Sequence, residues 1–222
     1  MTATFTPRLD VLPPSQRALW DELGEIPDGF VLYGGTAIAL HLGHRDSVDF
    51  DFFVPAELDP RELLGSLPLL AGAVVTQVEP NTLGVTVDRD GPVKLSFFGV
   101  PRLGRVRQPF VTEDIGLKVA HPLDLGGSKA SVVQVRAEPK DYIDIDALIR
   151  SDVSLPDMLA AGAALYGWAF SAQVAVKAIA YFDDPLLADL PSDLKDRLRS
   201  AVRAVDLDAL PDIKPVAPRG AA

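Results

Sequence analysis

The sequence predicts an α+β fold, a small mixed sheet flanked by helices and followed by a helical C-terminal lobe. Three observations carry this. Short apolar runs bounded by Gly, Pro and Asp fill the stretch from Phe30 to Phe98. An Asp90-Gly91 pair, the strongest short-range hairpin signal, lies between two of them. From Pro122 onward the apolar residues recur at helical spacing instead.

Taken in order, Ser15 to Ile26 reads as an amphipathic helix, with Ser15 as N-cap and Leu19, Trp20 and Leu23 on its inner face. Phe30 to Tyr33 is a buried strand that Gly34-Gly35 ends. Thr36 to Leu42 is a short helix closed by Gly43, and Val48 to Val54 is a second strand. Asp59 to Leu67 is a helix behind the Pro60 start signal. Strands follow at Ala73–Val78, Gly84–Val87 and Val93–Phe98, while Phe110 to Val119 has no clear period. Helices are expected at Leu123–Val133, Lys140–Ile149, Leu155–Tyr166, Ala172–Phe182 and Ser192–Ala204. Both tryptophans, Trp20 and Trp168, read as core residues. The expected organisation is a core over residues 1–150 and a helical lobe over 151–222, its proline-containing tail frayed from Pro211.

With 222 residues, 48% of them hydrophobic, the chain can bury a core without staples. It has no cysteine, which excludes disulfides and cysteine zinc sites. A formal charge of −10 argues against tight, sequence-blind binding to duplex nucleic acid. Met1 to Leu12 lacks the pattern of a signal peptide. Leu155 to Phe182 is apolar and long, but Gly167, Ser171, Gln173 and Lys177 favour two packed helices over a membrane span. A soluble, cytoplasmic protein is expected.

The chemistry concentrates in Val48-Asp49-Phe50-Asp51-Phe52. Alternation along a strand sets Asp49 and Asp51 on one face and Val48, Phe50 and Phe52 on the other. Two carboxylates one strand repeat apart repel each other, and a proton, a basic partner or a cation must relieve that. Mg²⁺ suits such a pair, because it takes one or two carboxylates and completes its shell with phosphate oxygens. A bare Asp-x-Asp is also what an ordinary solvated strand looks like. Upstream, Tyr33-Gly34-Gly35-Thr36 lies between strand and helix, where glycines admit a ligand to the backbone and the first helical amides attract phosphate. It is neither a Walker loop nor the dinucleotide fingerprint. His41 and His44 have helical spacing, but Gly43 breaks the helix between them, so a zinc pair is not expected.

Together these elements resemble the signature of the DNA polymerase β-type nucleotidyltransferase superfamily: an apolar residue, two small residues, a spacer, then acid–apolar–acid–apolar. The fuller string, Gly34-Gly35-Thr36-Ala37-Ile38-Ala39-Leu40 and then His44-Arg45-Asp46-Ser47-Val48-Asp49-Phe50-Asp51, looks specifically like the AbiEii/AbiGii toxin family of nucleotidyltransferases. Ser128-Lys129, Arg136 and Lys140-Asp141-Tyr142-Ile143-Asp144 resemble that family's downstream lysine and basic-Asp-x-x-Asp elements. On a helix Asp141 and Asp144 share a face.

The resemblance implies a nucleotidyltransferase-like sheet and a Mg²⁺-dependent (or Mn²⁺-dependent) transfer of a nucleoside monophosphate from an NTP to an acceptor hydroxyl. It implies Asp49 and Asp51 as metal ligands, with Lys129, Asp141 and Asp144 beside them as catalytic residues. Gly34, Gly35, Thr36, Arg45, Ser47 and Lys129 are implied as nucleotide-binding. The acceptor is an RNA end such as that of tRNA, or a small molecule; an antitoxin protein is an implied partner, and a membrane is not. Superfamily members usually draw a third carboxylate from a later strand. Here that strand offers Lys94 and Ser96 on its polar face and no acid, with Asp88 and Asp144 as alternatives. That departure keeps open a catalytically inactive binding or regulatory module, and the charge keeps open an antibiotic-type nucleotidyltransferase.

Overall fold

The computed structural model describes residues 3–216. In chain order the elements are β1 (Thr4–Phe5), α1 (Pro14–Leu19), β2 (Val31–Tyr33), α2 (Gly34–Leu42), β3 (Asp49–Val54), α3 (Pro60–Ser66), β4 (Val74–Glu79), β5 (Thr82–Asp88), β6 (Pro92–Gly99), β7 (Phe110–Thr112) and β8 (Lys118–Val119). The helices α4 (Pro122–Val132), α5 (Pro139–Arg150), α6 (Leu155–Tyr166), α7 (Ala172–Ala180) and α8 (Ser192–Arg203) follow. The expected α+β class is what the chain adopts.

The chain divides into two compact units. Residues up to Leu103 together with Gln108–Ala120 form the first; Gly104–Arg107 and the chain from His121 onward form the second. The helices around Lys129 and Asp141, expected with the residue 1–150 core, therefore lie in the second unit.

Among the described residues, the first unit holds one mixed eight-stranded sheet in the order β1-β7-β8-β2-β3-β6-β5-β4. β3 sits centrally, antiparallel to β2 and parallel to β6. Its even-numbered side chains explain the placement: Phe50 and Phe52 are fully buried, and Phe52 stacks on Phe97 of β6 at 5.3 Å. The Asp90-Gly91 signal joins β5 to β6 as predicted, with Asp90 at φ 57° and Gly91 at φ 140°. Gly43 closes α2 in the left-handed conformation (φ 64°), its N–H donating to the Ala39 carbonyl at 2.7 Å.

Several expectations are corrected. Val48 does not join Phe50 and Phe52 in the core; it is 46% exposed and precedes the strand, its carbonyl accepting from the Gln16 side chain at 3.0 Å. The helix expected from Ser15 to Ile26 is α-helical only to Leu19 and tightens into a 3₁₀ run from Trp20 to Glu25, with Pro13 rather than Ser15 at its N-cap. Gly24 weakens the helix there, and Trp20 is held in the core by its indole N–H donating to Asp114 at 2.8 Å. The Phe110–Val119 stretch, which shows no clear period in sequence, is the β7–β8 hairpin.

In the second unit α4 packs on α6 through small residues. A Cβ at Gly126 would lie 2.7 Å from Met158, and one at Gly127 would lie 2.9 Å from the backbone of Gly162, so the helices approach at backbone distance. Leu155–Tyr166 has the predicted bounds, and no described helix is long and apolar enough to cross a membrane. Trp168 is not core but 99% exposed, because it lies in a 3₁₀ turn entered through Gly167 at φ 54°. The tail stays attached through Val216: Ile213 packs against Val106, Leu123 and Ala161, and the Val216 N–H donates to the Arg105 carbonyl at 2.6 Å. The remainder of the tail lies outside the described residues.

Candidate active site

Pairing across the central strands builds the first constellation. Tyr33, the last residue of β2, is opposite Asp51 of β3. The chain turns into α2 immediately afterwards, so the glycine bend sits against the Asp51 carboxylate. A Cβ at Gly34 would lie 2.8 Å from Asp51 Oδ2, and Gly34 has φ +76°. Both facts require glycine: a side chain would strain the backbone and displace the carboxylate. Asp49 shares this face one strand repeat earlier and is half-buried, as Asp51 is. The two acids therefore share one face of β3, and Asp51 on that face lies against the bend.

Helix α2 begins at Gly34 with Tyr33 as N-cap, and the Tyr33 side chain makes no capping bond. The first N–H groups of α2 carry the positive end of the helix dipole. Thr36 and Ser47, expected to touch nucleotide, use their hydroxyls inside the fold. Both are buried; they bond each other at 2.7 Å, and the Thr36 hydroxyl donates to the Asp49 carbonyl. Arg45 is half-buried and donates to the Asp46 carbonyl at 2.9 Å. Gln16, 4% exposed, holds the entry to β3 and was not singled out by sequence; a glutamine on an amphipathic helix gives no signal for that role. His41 is a packing residue, its ring stacked on Phe5 at 4.2 Å and bonded to the Ala120 carbonyl at 3.0 Å.

β6 lies beside β3 in parallel register, Lys94 opposite Asp49 and Ser96 opposite Asp51. These are the polar-face residues that the sequence offered in place of a third acid. Among the described residues no group of three or more His, Asp or Glu is arranged as a metal cage. The donors present nevertheless fit a hard divalent cation: two oxygen-bearing carboxylates on one face, beside a backbone gap that only glycine leaves open.

The second constellation lies in the second unit. The Lys129 ammonium, on α4, bonds Asp141 and Asp144 of α5, each at 2.7 Å. Arg136, on the connection, reaches the other Asp141 oxygen at 3.0 Å. Asp141 is 1% and Asp144 0% exposed, and their three-residue spacing puts both on the face toward α4. A further buried acid, Asp124, accepts from the backbone N–H groups of Val106 at 2.7 Å and Arg107 at 3.0 Å. Burial pushes its carboxyl up to about 6 although those bonds favour the charged form. Its position three residues after His121, inside the first turn of α4, marks it in sequence as an ordinary helix-start acid. Its partners on the Gly104–Arg107 segment are not legible there.

Comparison with known proteins adds the following. A family model described as "Nucleotidyl transferase AbiEii toxin, Type IV TA system" matches residues 17–215. An uncharacterized protein of Aquifex aeolicus (strain VF5) is 32% identical over 127 residues, which cover 56% of this chain and 60% of that protein's length. The nucleotidyltransferase toxin MenT4 of Mycobacterium tuberculosis H37Rv superposes with a TM-score of 0.58 at 15% identity, covering 90% of this chain and 84% of the other. A putative nucleotidyltransferase from H. pylori superposes with a TM-score of 0.52, also at 15% identity, covering 85% and 92%. At that identity the likeness to both structures shows the fold.

Proposed function

This chain belongs to the AbiEii nucleotidyltransferase toxin family, and from that premise we propose that it moves a nucleoside monophosphate from an NTP to an acceptor hydroxyl. The observation that carries this reading is the seating of Gly34 against Asp51, which sets one carboxylate of the Asp49–Asp51 strand at the start of helix α2.

In this reading the first amides of α2, at Gly34 and Gly35, receive the triphosphate, and Asp49 and Asp51 hold Mg²⁺ or Mn²⁺. The cation supplies charge neutralisation and orientation for the phosphates. The acceptor oxygen attacks the α-phosphorus in line. The new O–P bond forms as the bond to the β-phosphate bridging oxygen breaks, pyrophosphate leaves, and the hydroxyl proton passes to solvent. Thr36 and Ser47 act as positioning residues that clamp α2 to the start of β3. Arg45, on the same loop, is a candidate for phosphate contact. In the second unit Lys129 is fixed by Asp141 and Asp144 as a buried positive charge.

We take the acceptor to be an RNA end, and a cognate antitoxin protein to be the regulator. The net charge of −10 favours a second reading, a cationic small-molecule acceptor. Incubation with α-labelled NTPs, Mg²⁺ and a tRNA pool, with an aminoglycoside as competitor, separates the two by which species takes up label. Asp49→Ala and Asp51→Ala are each expected to lower transfer by about 10³-fold or more, the scale of several kcal/mol of lost charge stabilisation. Transfer that survives both substitutions removes these residues from the mechanism, and a folded wild type that labels neither acceptor leaves the binding-module reading.

A further inference from the structure

In the superfamily pattern a third carboxylate reaches the metal centre from a later strand, and the pairing identifies where that strand lies in this chain. β6 runs parallel to β3, in contact along six consecutive residue pairs from Asp49↔Lys94 to Val54↔Gly99. Paired residues on adjacent strands point to the same face at a spacing of about 5 Å. Lys94 and Ser96 therefore stand beside Asp49 and Asp51, on the face where Asp51 lies against the glycine bend. Lys94 is exposed. Among the described residues neither its ammonium nor the Asp49 carboxylate has a salt bridge or side-chain hydrogen bond. On the next strand, Thr86 is opposite Lys94 and Gly84 opposite Ser96, so this row brings no acid from β5 either.

A lysine in this position has a definite electrostatic consequence. Three carboxylates carry a charge of −3, so two bound divalent cations leave the site with a residual +1. Two carboxylates beside an ammonium carry −1, so a single divalent cation already leaves the same +1 and a second would raise it to +3, which like charges a few ångströms apart in a partly desolvated site oppose strongly. The ammonium has three rotatable donors on a flexible stem and suits phosphate as a point charge.

Resting on the nucleotidyltransferase reading above, we propose that this site takes a single divalent cation and that Lys94 supplies the second positive charge, directed at the α-phosphate and the incoming acceptor oxygen. The charge that builds on the phosphate as the O–P bond forms and pyrophosphate departs is then met by one bound ion and one side chain of the protein. Lys94 also becomes a specificity determinant, favouring an acceptor whose nucleophilic hydroxyl neighbours a phosphate, as at a nucleic-acid end.

The test counts ions. Full-length protein is saturated with the α,β-methylene analogues of the four NTPs, which cannot transfer, and bound Mn²⁺ is titrated by electron paramagnetic resonance. Wild type is expected to hold one ion per chain, Lys94→Ala one, and Lys94→Asp two, since the last restores a third acid in register with Asp49. In parallel, Lys94→Ala is expected to lower kcat by about 10²-fold or more with the KM for NTP within a few-fold of wild type, and Lys94→Arg to recover most of the loss. Because Lys94 is exposed, these variants should fold; circular dichroism verifies it. Wild type holding two ions, or Lys94→Ala turning over at the wild-type rate, overturns the proposal and leaves the nucleotidyltransferase reading standing. Wild type holding no ion with any analogue overturns both.

Discussion

Lys129→Met is expected to cost the fold about 3 kcal/mol, at the lower end of the range for breaking a buried ion pair from one side. The reason is what it leaves behind. Asp141 and Asp144 are 1% and 0% exposed, and the ammonium that each contacts at 2.7 Å disappears while their own desolvation does not. Arg136 continues to serve Asp141 from the surface, which sets the loss below the upper limit. Denaturant unfolding followed by far-ultraviolet circular dichroism measures it as a lower midpoint. The triple variant Lys129→Met, Asp141→Asn, Asp144→Asn removes charge from both sides and is expected to recover more than half of the difference. A single variant that unfolds at the wild-type midpoint would show that the cluster is not structural.

Gly34→Ala is expected to lower transfer by about 10²-fold, the scale of a roughly 1 Å misplacement of reacting groups. It should also cost about 1–2 kcal/mol of stability, because Ala must adopt φ +76°. The two effects separate by comparison with Gly72→Ala. Gly72 also has φ +76°, but nothing lies within 4 Å of a Cβ there. That variant carries the backbone strain without the displaced carboxylate, so it should lose stability and keep its activity. Equal activity in Gly34→Ala and Gly72→Ala would dissociate the bend from the chemistry.

Much of this arrangement was legible because it is written in short-range pattern. Alternation alone set Asp49 and Asp51 on one face, and the structure shows the buried counterparts Phe50 and Phe52 on the other. The Asp90-Gly91 turn, Gly43 and the α6 bounds are likewise local signals. Extending the alternation to Val48 failed, because it precedes the strand and the pleat no longer governs it. What sequence could not give is partnership across long separations. Asp146 receives a two-pronged bond from Arg197 at 2.7 and 2.9 Å, fastening α5 to α8, and 51 residues separate the pair. The two-residue strand β1 is held to β7 by parallel pairing, and no period can be detected over two residues. Trp168 misled because an aromatic's size argues for burial, whereas the positive-φ Gly167 before it turns the chain outward.

The proposed transfer requires Asp49 and Asp51 to meet a cation at the glycine bend. A crystal grown with Mn²⁺ and a non-transferable NTP analogue tests this most directly through the anomalous signal of the metal. An anomalous peak is expected within coordination distance of both carboxylates, with the triphosphate on the amides of Gly34 and Gly35. A nucleotide bound elsewhere, or metal density that touches neither aspartate, would contradict it.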